Sequence, residues 1–567
     1  MSTLAHLLKA HVERHPERVS IILQHAGQED RPITYGELLN GAYSFALTLR
    51  RAGIQPGEVV VLILQHGIEL IFSFFGSILY GAIPSIMPFL TEKLSPERYR
   101  ADLQSLIQIT RPAAIVTYAE FLGEVERAIT PDGPLRAILS SSDFEPVAGE
   151  ADFSWLPGLR REESEIVLLQ HSSGTTGLQK GVALSHRAVL NQLQAYSEAI
   201  ALSQEDVIVS WLPLYHDMGL IAGFIMPVME GVLLVLMSPF DWVRAPQRLF
   251  QAVSRYRGTL TWLPNFAYHF CAQKVRDVHL SGVDLSSWRA VINCSEPVRW
   301  ESHQAFYERF KRYGLRYEAL QSSYAMAENV FGVTQSPMGK PPATDRIDRE
   351  AFLTERVARP ALEGRASLVM MSSGRPLRNT RLRILDEHGH DLPERVVGEI
   401  AIQSDCMLNG YFNRPDLTRK AFRNGWYLTG DLGYLADGEL YVAGRKKDLI
   451  IVGGKNIYPQ DLEALAGEVP GVHPGRVVAF GIFNETLGTE EVAIVAEVDT
   501  EDPLERERIE DAIRLHVTRN SAIAVRYVRA VGARWLIKTS SGKIARAANR
   551  EKFLRENGLS RESSPAP

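Results

Sequence analysis

Short apolar runs alternate with helical patterns from about Val59 to Tyr324. Continuous apolar strands separated by helices are typical of parallel sheets covered on both faces. We therefore expect a large α/β domain whose ligands bind beyond the carboxyl ends of the strands. Besides VVVLIL (59–64), the predicted strands are AAIV (113–116), EIVLLQ (165–170), DVIVSW (206–211), VLLVLM (232–237), TLTWL (259–263) and AVIN (290–293).

The uncharged stretch Leu70–Leu90 is long enough to suggest a membrane span. It contains two glycines and two prolines and follows an apolar strand, which favours a buried helix followed by a buried strand. The N-terminal residues have apolar positions at helical spacing but lack the apolar core of a signal peptide. We predict a surface helix there and a cytoplasmic protein.

After Leu377 the pattern changes to hairpin-like pairs of strands. In LGYLADGELYVAGR, Asp437-Gly438 separates two alternating runs and predicts a tight turn, because both residues tolerate positive φ. A smaller βα pattern follows, with helices predicted from Pro459 and over 503–517. We predict a large domain over residues 1–446, which ends in a β-hairpin subdomain, and a small α+β domain over residues 447–567.

Composition narrows the classes of function. The 567 residues exceed what one hydrophobic core usually supports, and the net charge of -5 comes from mixed acidic and basic residues. No long run of one sign indicates a nucleic-acid or anionic-membrane surface. Cys271, Cys294 and Cys406 lack metal-ligand spacing, so we expect buried thiols in a reducing compartment, without a disulfide framework or zinc site.

The segment LLQHSSGTTGLQKGVALSH, residues 168–186, has the most informative chemistry. A strand runs into a loop of glycines and hydroxyl residues, and a lysine follows before a helix that His186 opens. Such a loop suits a polyphosphate, although its spacing differs from that of P-loop NTPases and a flexible linker is an equal alternative. The candidate phosphate contacts are Ser172, Ser173, Gly174, Thr175, Thr176, Gly177 and Lys180.

Together with its other motifs, this loop resembles the adenylate-forming superfamily of acyl-CoA synthetases, fatty-acyl-AMP ligases, luciferases and peptide-synthetase adenylation domains. The resemblance extends from ITYGEL at 33–38 to SGKIAR at 541–546, with the motifs in the family order. It implies an enzyme that uses ATP and Mg²⁺ to convert a carboxylic acid to its acyl-AMP, with a mobile small domain. By the same resemblance, Thr175, Thr176 and Lys180 face the β- and γ-phosphates.

Two further motifs resemble the nucleotide site of that superfamily. In SSYAMAE, residues 322–328, Tyr324 would stack on adenine and Glu328 would hold Mg²⁺, a hard ion that prefers carboxylates. NCSEPVR, residues 293–299, is similar to a second turn that contacts the base. In isolation Tyr324 would be read as a core aromatic and Glu328 as a solvated helix residue. The other candidates in these motifs are Ser295, Glu296, Pro297, Ser323, Ala325 and Met326.

The hairpin region and the C-terminal part supply the remaining implied contacts. Asp431 of YLTGDLG corresponds to the carboxylate that binds the ribose hydroxyls, and Arg445 of GRKKDL to a ribose or phosphate contact. A plain surface hairpin is the alternative. Lys447 stands at the implied hinge between the domains. IKTSSGKIAR resembles the catalytic-lysine loop, where Lys543 would meet the acyl carboxylate and the α-phosphate. Lys538 lies nearby, but the SGK context favours Lys543.

The substrate is also suggested by resemblance. WLPLYHDMGLIAGF at 211–224 and YPQDLE at 458–463 look like fatty-acyl-AMP ligases, and residues 339–367 resemble their insertion, a surface loop being the alternative. His216 would gate or orient the carboxylate, unless it is structural. We expect a medium- or long-chain fatty acid and, as acceptor, the phosphopantetheine thiol of an acyl carrier protein.

GGKNIYP at 453–459 is nearer to CoA-ligating relatives, which leaves an acyl-CoA synthetase open. A noncatalytic acyl- or nucleotide-binding homologue is the second alternative.

Overall fold

The computed structural model describes residues 3–89, 96–129, 133, 135–144, 152–172, 180–453, 455–487, 489–521, 523–539 and 542–559. The helices are, in chain order, α1 (Leu4–Arg14), α2 (Tyr35–Arg51), α3 (Ile68–Tyr80), α4 (Pro96–Thr110), α5 (Leu122–Ala128), α6 (His186–Ala199), α7 (Met226–Glu230), α8 (Pro239–Arg244), α9 (Gln247–Tyr256), α10 (Asn265–Lys274), α11 (Trp300–Phe310), α12 (Arg349–Thr354), α13 (Pro415–Ala421), α14 (Pro459–Gly467), α15 (Pro503–Ser521) and α16 (Arg546–Glu556).

The strands are β1 (Val19–Gln24), β2 (Arg31–Thr34), β3 (Val59–Ile63), β4 (Ile83–Ile86), β5 (Ala114–Thr117), β6 (Ala137–Ser140), β7 (Ile166–Ser172), β8 (Lys180–Ser185), β9 (Val207–Ser210), β10 (Leu233–Met237), β11 (Leu260–Leu263), β12 (Ala290–Asn293), β13 (Leu320–Ala325), β14 (Gly332–Gln335), β15 (Thr344–Asp348), β16 (Ser367–Met371), β17 (Arg375–Pro376), β18 (Thr380–Leu385), β19 (Gly398–Ser404), β20 (Gly410–Tyr411), β21 (Phe422–Arg423), β22 (Trp426–Ala436), β23 (Glu439–Arg445), β24 (Ile450–Val452), β25 (Lys455–Ile457), β26 (Val472–Asn484), β27 (Thr489–Val498) and β28 (Val525–Val531).

The largest sheet has the strand order β17-β14-β13-β12-β11-β9-β10-β1-β2. Its central pairings, from β1 through β13, are parallel, whereas β2, β14 and β17 join the edges antiparallel. The predicted parallel-rich α/β fold is therefore confirmed. Because β9, β11, β12 and β13 run in the same direction, the residues that follow them meet at one edge of the sheet.

A second, parallel sheet has the order β4-β3-β5-β6. The stretch that resembled a membrane span forms α3 and β4, as predicted, and its described core residues are buried. α3 packs closely on α2 because Gly76 has no side chain: a Cβ there would lie 2.5 Å from the carbonyl oxygen of Ala42. Within the described part of the chain, no helix is long and apolar enough to cross a membrane.

The segment around residues 168–186 contains a strand that we did not predict. Lys180 opens β8, which pairs antiparallel with β7 and with β20, so a strand separates the predicted phosphate loop from α6. The strand ends at Ser185, the last residue of the run VALS, because Ser185 is the N-cap of α6. Its side chain accepts a hydrogen bond from the N–H of Ala188. His186 opens the helix, as predicted.

The hairpin region forms an antiparallel sheet of β18, β19, β22, β21 and β23. At its predicted turn, Asp437 and Gly438 have φ of 55° and 75°, as a two-residue hairpin requires. From Ile450 onward a separate hydrophobic core forms around β26, β27 and β28 with α14 and α15. The predicted fold, with a large and a small part that have separate cores, is thus confirmed, while the domain bounds stay a prediction.

The predicted insertion is folded over much of its length. β15 pairs with β16, and α12 places Phe352 in a buried cluster with Tyr434 and Tyr441 of the hairpin sheet. The same cluster includes Tyr458, which precedes α14 of the small domain. The segment therefore packs between the two domains and is not a plain surface loop.

Candidate active site

The side chain of Lys543, in the small domain, reaches the large domain. Its Nζ donates a 2.8 Å hydrogen bond to the carbonyl oxygen of Ser295, which follows β12. Ser295 has φ of 70°, a left-handed conformation that costs about 1 to 2 kcal/mol in a non-glycine residue. Such strained residues cluster at functional sites. The lysine predicted to be catalytic thus lies at the carboxyl edge of the main sheet.

Three predicted nucleotide contacts form one hydrogen-bonded group. The hydroxyl of Tyr324 donates to Oδ2 of Asp431 at 2.6 Å, and Nε of Arg445 lies 3.2 Å from Oδ1 of the same carboxylate. Asp431 and Arg445 face each other across β22 and β23. Because the phenol is buried and lies beside the Asp431 carboxylate, the pKa of Tyr324 is well above its usual value, and it remains a donor.

The predicted metal ligand and the lysine of the phosphate segment meet at a residue that we did not predict. The hydroxyl of Tyr411 donates to Oε1 of Glu328 at 3.0 Å, and Nζ of Lys180 lies 4.6 Å from the centre of the Tyr411 ring. Burial raises the pKa of Glu328, and the bond from Tyr411 offsets part of that rise. In sequence Tyr411 has no feature that distinguishes it from a core aromatic.

His216 lies between β9 and a buried π-helical segment, Met218–Ile225. Its Nδ1 is 2.6 Å from Oδ1 of Asp217, and that carboxylate also accepts from the N–H of Met218. Burial alone would raise the pKa of Asp217, but His216, Lys543 and the Met218 N–H together lower it. Asp217 therefore stays ionised and links His216 electrostatically to Lys543.

The other predicted base contacts lie close by but have structural partners. Oε2 of Glu296 accepts a 2.9 Å hydrogen bond from the N–H of Phe266, in the first turn of α10. Ser323 donates to the carbonyl oxygen of Thr334, and the N–H of Met326 donates to Phe331. The base contacts predicted for Ser295, Glu296, Pro297, Ser323, Ala325 and Met326 all stay predictions.

The phosphate loop itself is not fully described. Ser173, Gly174, Thr175, Thr176 and Gly177 lie outside the described residues, as does the side chain of Ser172. Their predicted roles are untested. Ser172 ends β7 opposite Lys180, which locates the two ends of the segment beside Tyr411 and Glu328.

The implied hinge residue lies in a short 3₁₀ turn between β23 and β24. Burial, with Arg445 adding to it, lowers the pKa of Lys447. A further contact across the two domains joins Nη2 of Arg299 to Oδ1 of Asp461 at 2.9 Å. Together with the bond from Lys543 to Ser295, this ion pair holds the small domain over the site.

A strained turn also follows Glu328. Val330 has φ of 63° and ψ of -55°, and the N–H of Phe331 donates to the carbonyl oxygen of Asn329 at 2.7 Å. This is a γ-turn, which is rare for a β-branched residue and costs about 1 to 3 kcal/mol. No sequence signal distinguishes Val330 from an ordinary core valine.

The fold, together with the positions of Lys543, Asp431 and Glu328, is the one expected of an adenylate-forming enzyme. The chain belongs to the family of AMP-binding enzymes, whose model matches residues 8–412. It is 31% identical to a medium-chain-fatty-acid [acyl-carrier-protein] ligase, JamA of Moorena producens, over 98% of this chain and 95% of the relative.

Two further relatives extend the comparison. The long-chain-fatty-acid AMP ligase FadD26 of Mycobacterium tuberculosis is 28% identical over 98% of this chain and 97% of its own. A structure from a study of fatty acyl-adenylate ligases of E. coli and L. pneumophila superposes with a TM-score of 0.88 at 29% identity, covering 98% of both chains. The predicted superfamily and fold are confirmed.

Proposed function

We propose that this protein activates a medium- or long-chain fatty acid with ATP, forming acyl-AMP and pyrophosphate. It then transfers the acyl group to the phosphopantetheine thiol of an acyl carrier protein: the sulfur bonds to the acyl carbon, the bond from that carbon to the phosphate oxygen breaks, and AMP leaves. The observation that carries this proposal is the bond from Lys543 to Ser295, which brings a cation of the small domain to the edge of the sheet where Tyr324, Asp431 and Glu328 also lie.

In the proposed reaction the acyl carboxylate attacks the α-phosphorus of ATP in line with the leaving pyrophosphate. An oxygen of the acyl carboxylate bonds to that phosphorus, the bond to the β-phosphate oxygen breaks, and its electron pair leaves with pyrophosphate. Negative charge gathers on the phosphoryl oxygens in the transition state, where the ammonium of Lys543 stabilises it. Asp431 and Arg445 hold the ribose, and the ring of Tyr324 stacks on the base.

The residues present fit a magnesium ion. Glu328 is a half-buried carboxylate that accepts a hydrogen bond from Tyr411, and the Tyr411 ring in turn contacts Lys180. Mg²⁺ in phosphate sites is usually held by one or two protein carboxylates, with substrate oxygens and water completing its coordination. Groups of three or more acidic, histidine or cysteine side chains suited to a metal are absent from the described residues, which suits an ion that arrives with ATP. When bound, the ion would offset phosphate charge.

An apolar substrate suits the surroundings of His216 and Asp217. All eight residues of Met218–Ile225 are buried, and the Trp211 ring stacks on Trp242 with centroids 3.5 Å apart. These side chains follow β9 and β10, at the same sheet edge as Ser295. The names of JamA and FadD26, which specify medium- and long-chain fatty acids, support the same substrate class.

The folded insertion supports a carrier protein over free CoA. Nη2 of Arg356 donates to Oδ1 of Asn456 at 2.8 Å, and the Phe352 ring packs on Tyr458 at 5.4 Å. Arg349 also bonds the carbonyl oxygen of Asn520 in α15. To open a path for a thiol, the small domain must break these contacts. A carrier protein offers a larger binding surface to offset that cost than CoA does.

A direct test incubates the purified protein with ATP, Mg²⁺ and fatty acids of graded length, and resolves acyl-AMP from thioester products with CoA or a holo-carrier protein as acceptor. We expect acid-dependent pyrophosphate release and thioester only with the carrier. Lys543→Ala should abolish acyl-AMP formation while ATP still binds, whereas Lys538→Ala should retain it.

Other results would redirect the assignment. Equal thioester yield with CoA would indicate an acyl-CoA synthetase, the reading that GGKNIYP at 453–459 favours. No pyrophosphate release with any acid would indicate a noncatalytic homologue. An unchanged rate in Lys543→Ala would contradict the role of that lysine.

A further inference from the structure

The loop that holds Lys543 is closed at its base by main-chain bonds. The N–H of Ala545 donates to the carbonyl oxygen of Ile537 at 3.0 Å, and Lys538 and Ile544 form an antiparallel bridge. Within the loop, the N–H of Thr539 donates to the carbonyl oxygen of Lys543 at 2.7 Å. The position of the lysine thus depends on how firmly residues 537 and 545 are held together.

One side chain bonds to both ends of this base. Oδ1 of Asn549 accepts from the N–H of Ile537 at 2.8 Å, and its Nδ2 donates to the carbonyl oxygens of Ile537 at 2.8 Å and Ala545 at 2.9 Å. Because one edge of the amide faces a donor and the other faces two acceptors, only this orientation satisfies all three groups. Asn549 is fully buried, at 0% exposure.

The parts that Asn549 joins are themselves anchored. The N–H of Leu536 donates to the buried carboxylate of Glu497 in β27 at 2.9 Å. On the other side, Arg546 forms 2.7 Å ion pairs with Asp448 and with Glu463. Both stems of the loop are therefore attached to other parts of the small domain, and the Asn549 amide forms hydrogen bonds with both stems.

If Asn549 served only to stabilise α16, only its bond to Ala545 would be explained. Asn549 lies in the first turns of α16, where an alanine would form the helix at least as well. The bond to Ala545, four residues earlier, is of a kind that a serine or threonine also makes within a helix. The two bonds to Ile537 hold the far stem of the lysine loop and contribute nothing to the helix.

We propose that Asn549 is a positioning residue for Lys543: its buried amide fixes the base of the loop so that the ammonium reaches the site at Ser295. This inference rests on the proposed role of Lys543 in acyl-AMP formation. In the proposed reaction Lys543 acts at the α-phosphate during acyl-AMP formation and has no part in transfer from preformed acyl-AMP, so the two half-reactions separate positioning from folding.

The test measures both half-reactions in the full-length protein with Asn549→Ala and Asn549→Ser. Serine keeps the bond to Ala545 within the helix but cannot reach Ile537. The matched control is Asn557→Ala at the C-cap of the same helix: its Nδ2 donates to the carbonyl oxygen of Phe553 and its Oδ1 accepts from Arg529, and neither bond involves Ile537 or Ala545. In Asn549→Ala and Asn549→Ser, kcat for acyl-AMP formation should fall roughly 100-fold, since a misplacement of about 1 Å can cost that much.

The KM for ATP should change little, and so should transfer from supplied acyl-AMP.

Two outcomes would overturn the inference: full acyl-AMP formation in Asn549→Ala, or equal losses in both half-reactions for both variants. If Lys543→Ala keeps the wild-type rate of acyl-AMP formation, the proposed role of Lys543 is wrong whatever Asn549→Ala does. A failure of the proposed function can therefore be distinguished from a failure of the inference about Asn549.

Discussion

The hydroxyl of Tyr324 donates a 2.6 Å hydrogen bond to the carboxylate of Asp431, although the two residues are 107 positions apart. Tyr324 lies on β13 of the main sheet and Asp431 on β22 of the hairpin sheet. The bond therefore joins the surface proposed for the base to the group proposed for the ribose. A nucleotide bound there would contact two sheets at once.

Asp431→Ala should weaken ATP binding. The substitution removes the ribose acceptor and leaves Arg445, whose pKa the carboxylate raises, without its 3.2 Å partner. Loss of a hydrogen bond to a charged group costs about 1.5 to 3 kcal/mol, so the KM for ATP should rise roughly 10-fold to 100-fold. Initial rates of pyrophosphate release at varied ATP measure this change.

The matched control is Asp437→Asn on the same hairpin, where the side chain is 89% exposed and asparagine tolerates the turn. It should leave the KM for ATP unchanged. A normal KM in Asp431→Ala would contradict the ribose contact.

Tyr411→Phe should move the acid limb of the pH-rate profile to higher pH. Glu328 must be ionised to hold a metal, and its pKa is already raised, chiefly by burial. The Tyr411 hydroxyl favours the ionised form, so removing it raises the pKa further and activity is lost earlier as pH falls. The phenylalanine ring still packs near Lys180, so the plateau rate should change little.

Tyr427→Phe provides the comparison, because its hydroxyl contacts that of Tyr411 at 3.0 Å and lies one bond further from Glu328. The acid limb of the pH-rate profile of Tyr427→Phe should also move to higher pH, but by less than that of Tyr411→Phe. A shift of the limb to lower pH in Tyr411→Phe would refute the assignment.

Arg356→Ala should loosen the small domain. It removes the 2.8 Å bond to Asn456 that links the insertion to β25. Transfer of the acyl group to CoA should become measurable or faster, while the rate of acyl-AMP formation stays within about 2-fold of wild type, because the Arg299–Asp461 pair still favours the closed arrangement.

Arg359→Ala is the control, since its 2.7 Å ion pair with Glu355 lies within the insertion and is half exposed. Identical acceptor preferences in Arg356→Ala and wild type would mean that the insertion does not restrain the domain.

His303→Gln should reduce the loss of stability on acidification. His303 is buried beside Asn293 and stacks on Tyr268, and burial lowers its pKa from 6.5 to about 3. A histidine kept neutral by folding stabilises the native state above pH 6.5, and this contribution is lost as pH falls towards 3. The loss is about 1.4 kcal/mol per pH unit for one such group.

Denaturant unfolding midpoints between pH 7 and pH 5 measure the effect, and the exposed His388→Gln serves as control. Parallel curves for wild type and His303→Gln would contradict a neutral buried ring.

Much of the fold could be predicted because periodicity and turn chemistry act locally. The apolar runs that became β9 to β12, the breakers around α3 and the Asp437-Gly438 turn each specify their element within a few residues. β8 was missed because a short apolar run before a helix cap is ambiguous without its partners, β7 and β20.

For the site, too, some features could be predicted from the sequence and others could not. Lys543, Glu328 and Asp431 could be named from the sequence because each lies in a short motif that resembles a motif of the adenylate-forming superfamily. Contacts such as Tyr411 with Glu328, Arg299 with Asp461 and Asn549 with Ile537 were decided only by the tertiary structure. Tyrosine, arginine and asparagine are common side chains, and which buried group each one satisfies depends on packing between segments that are distant along the chain.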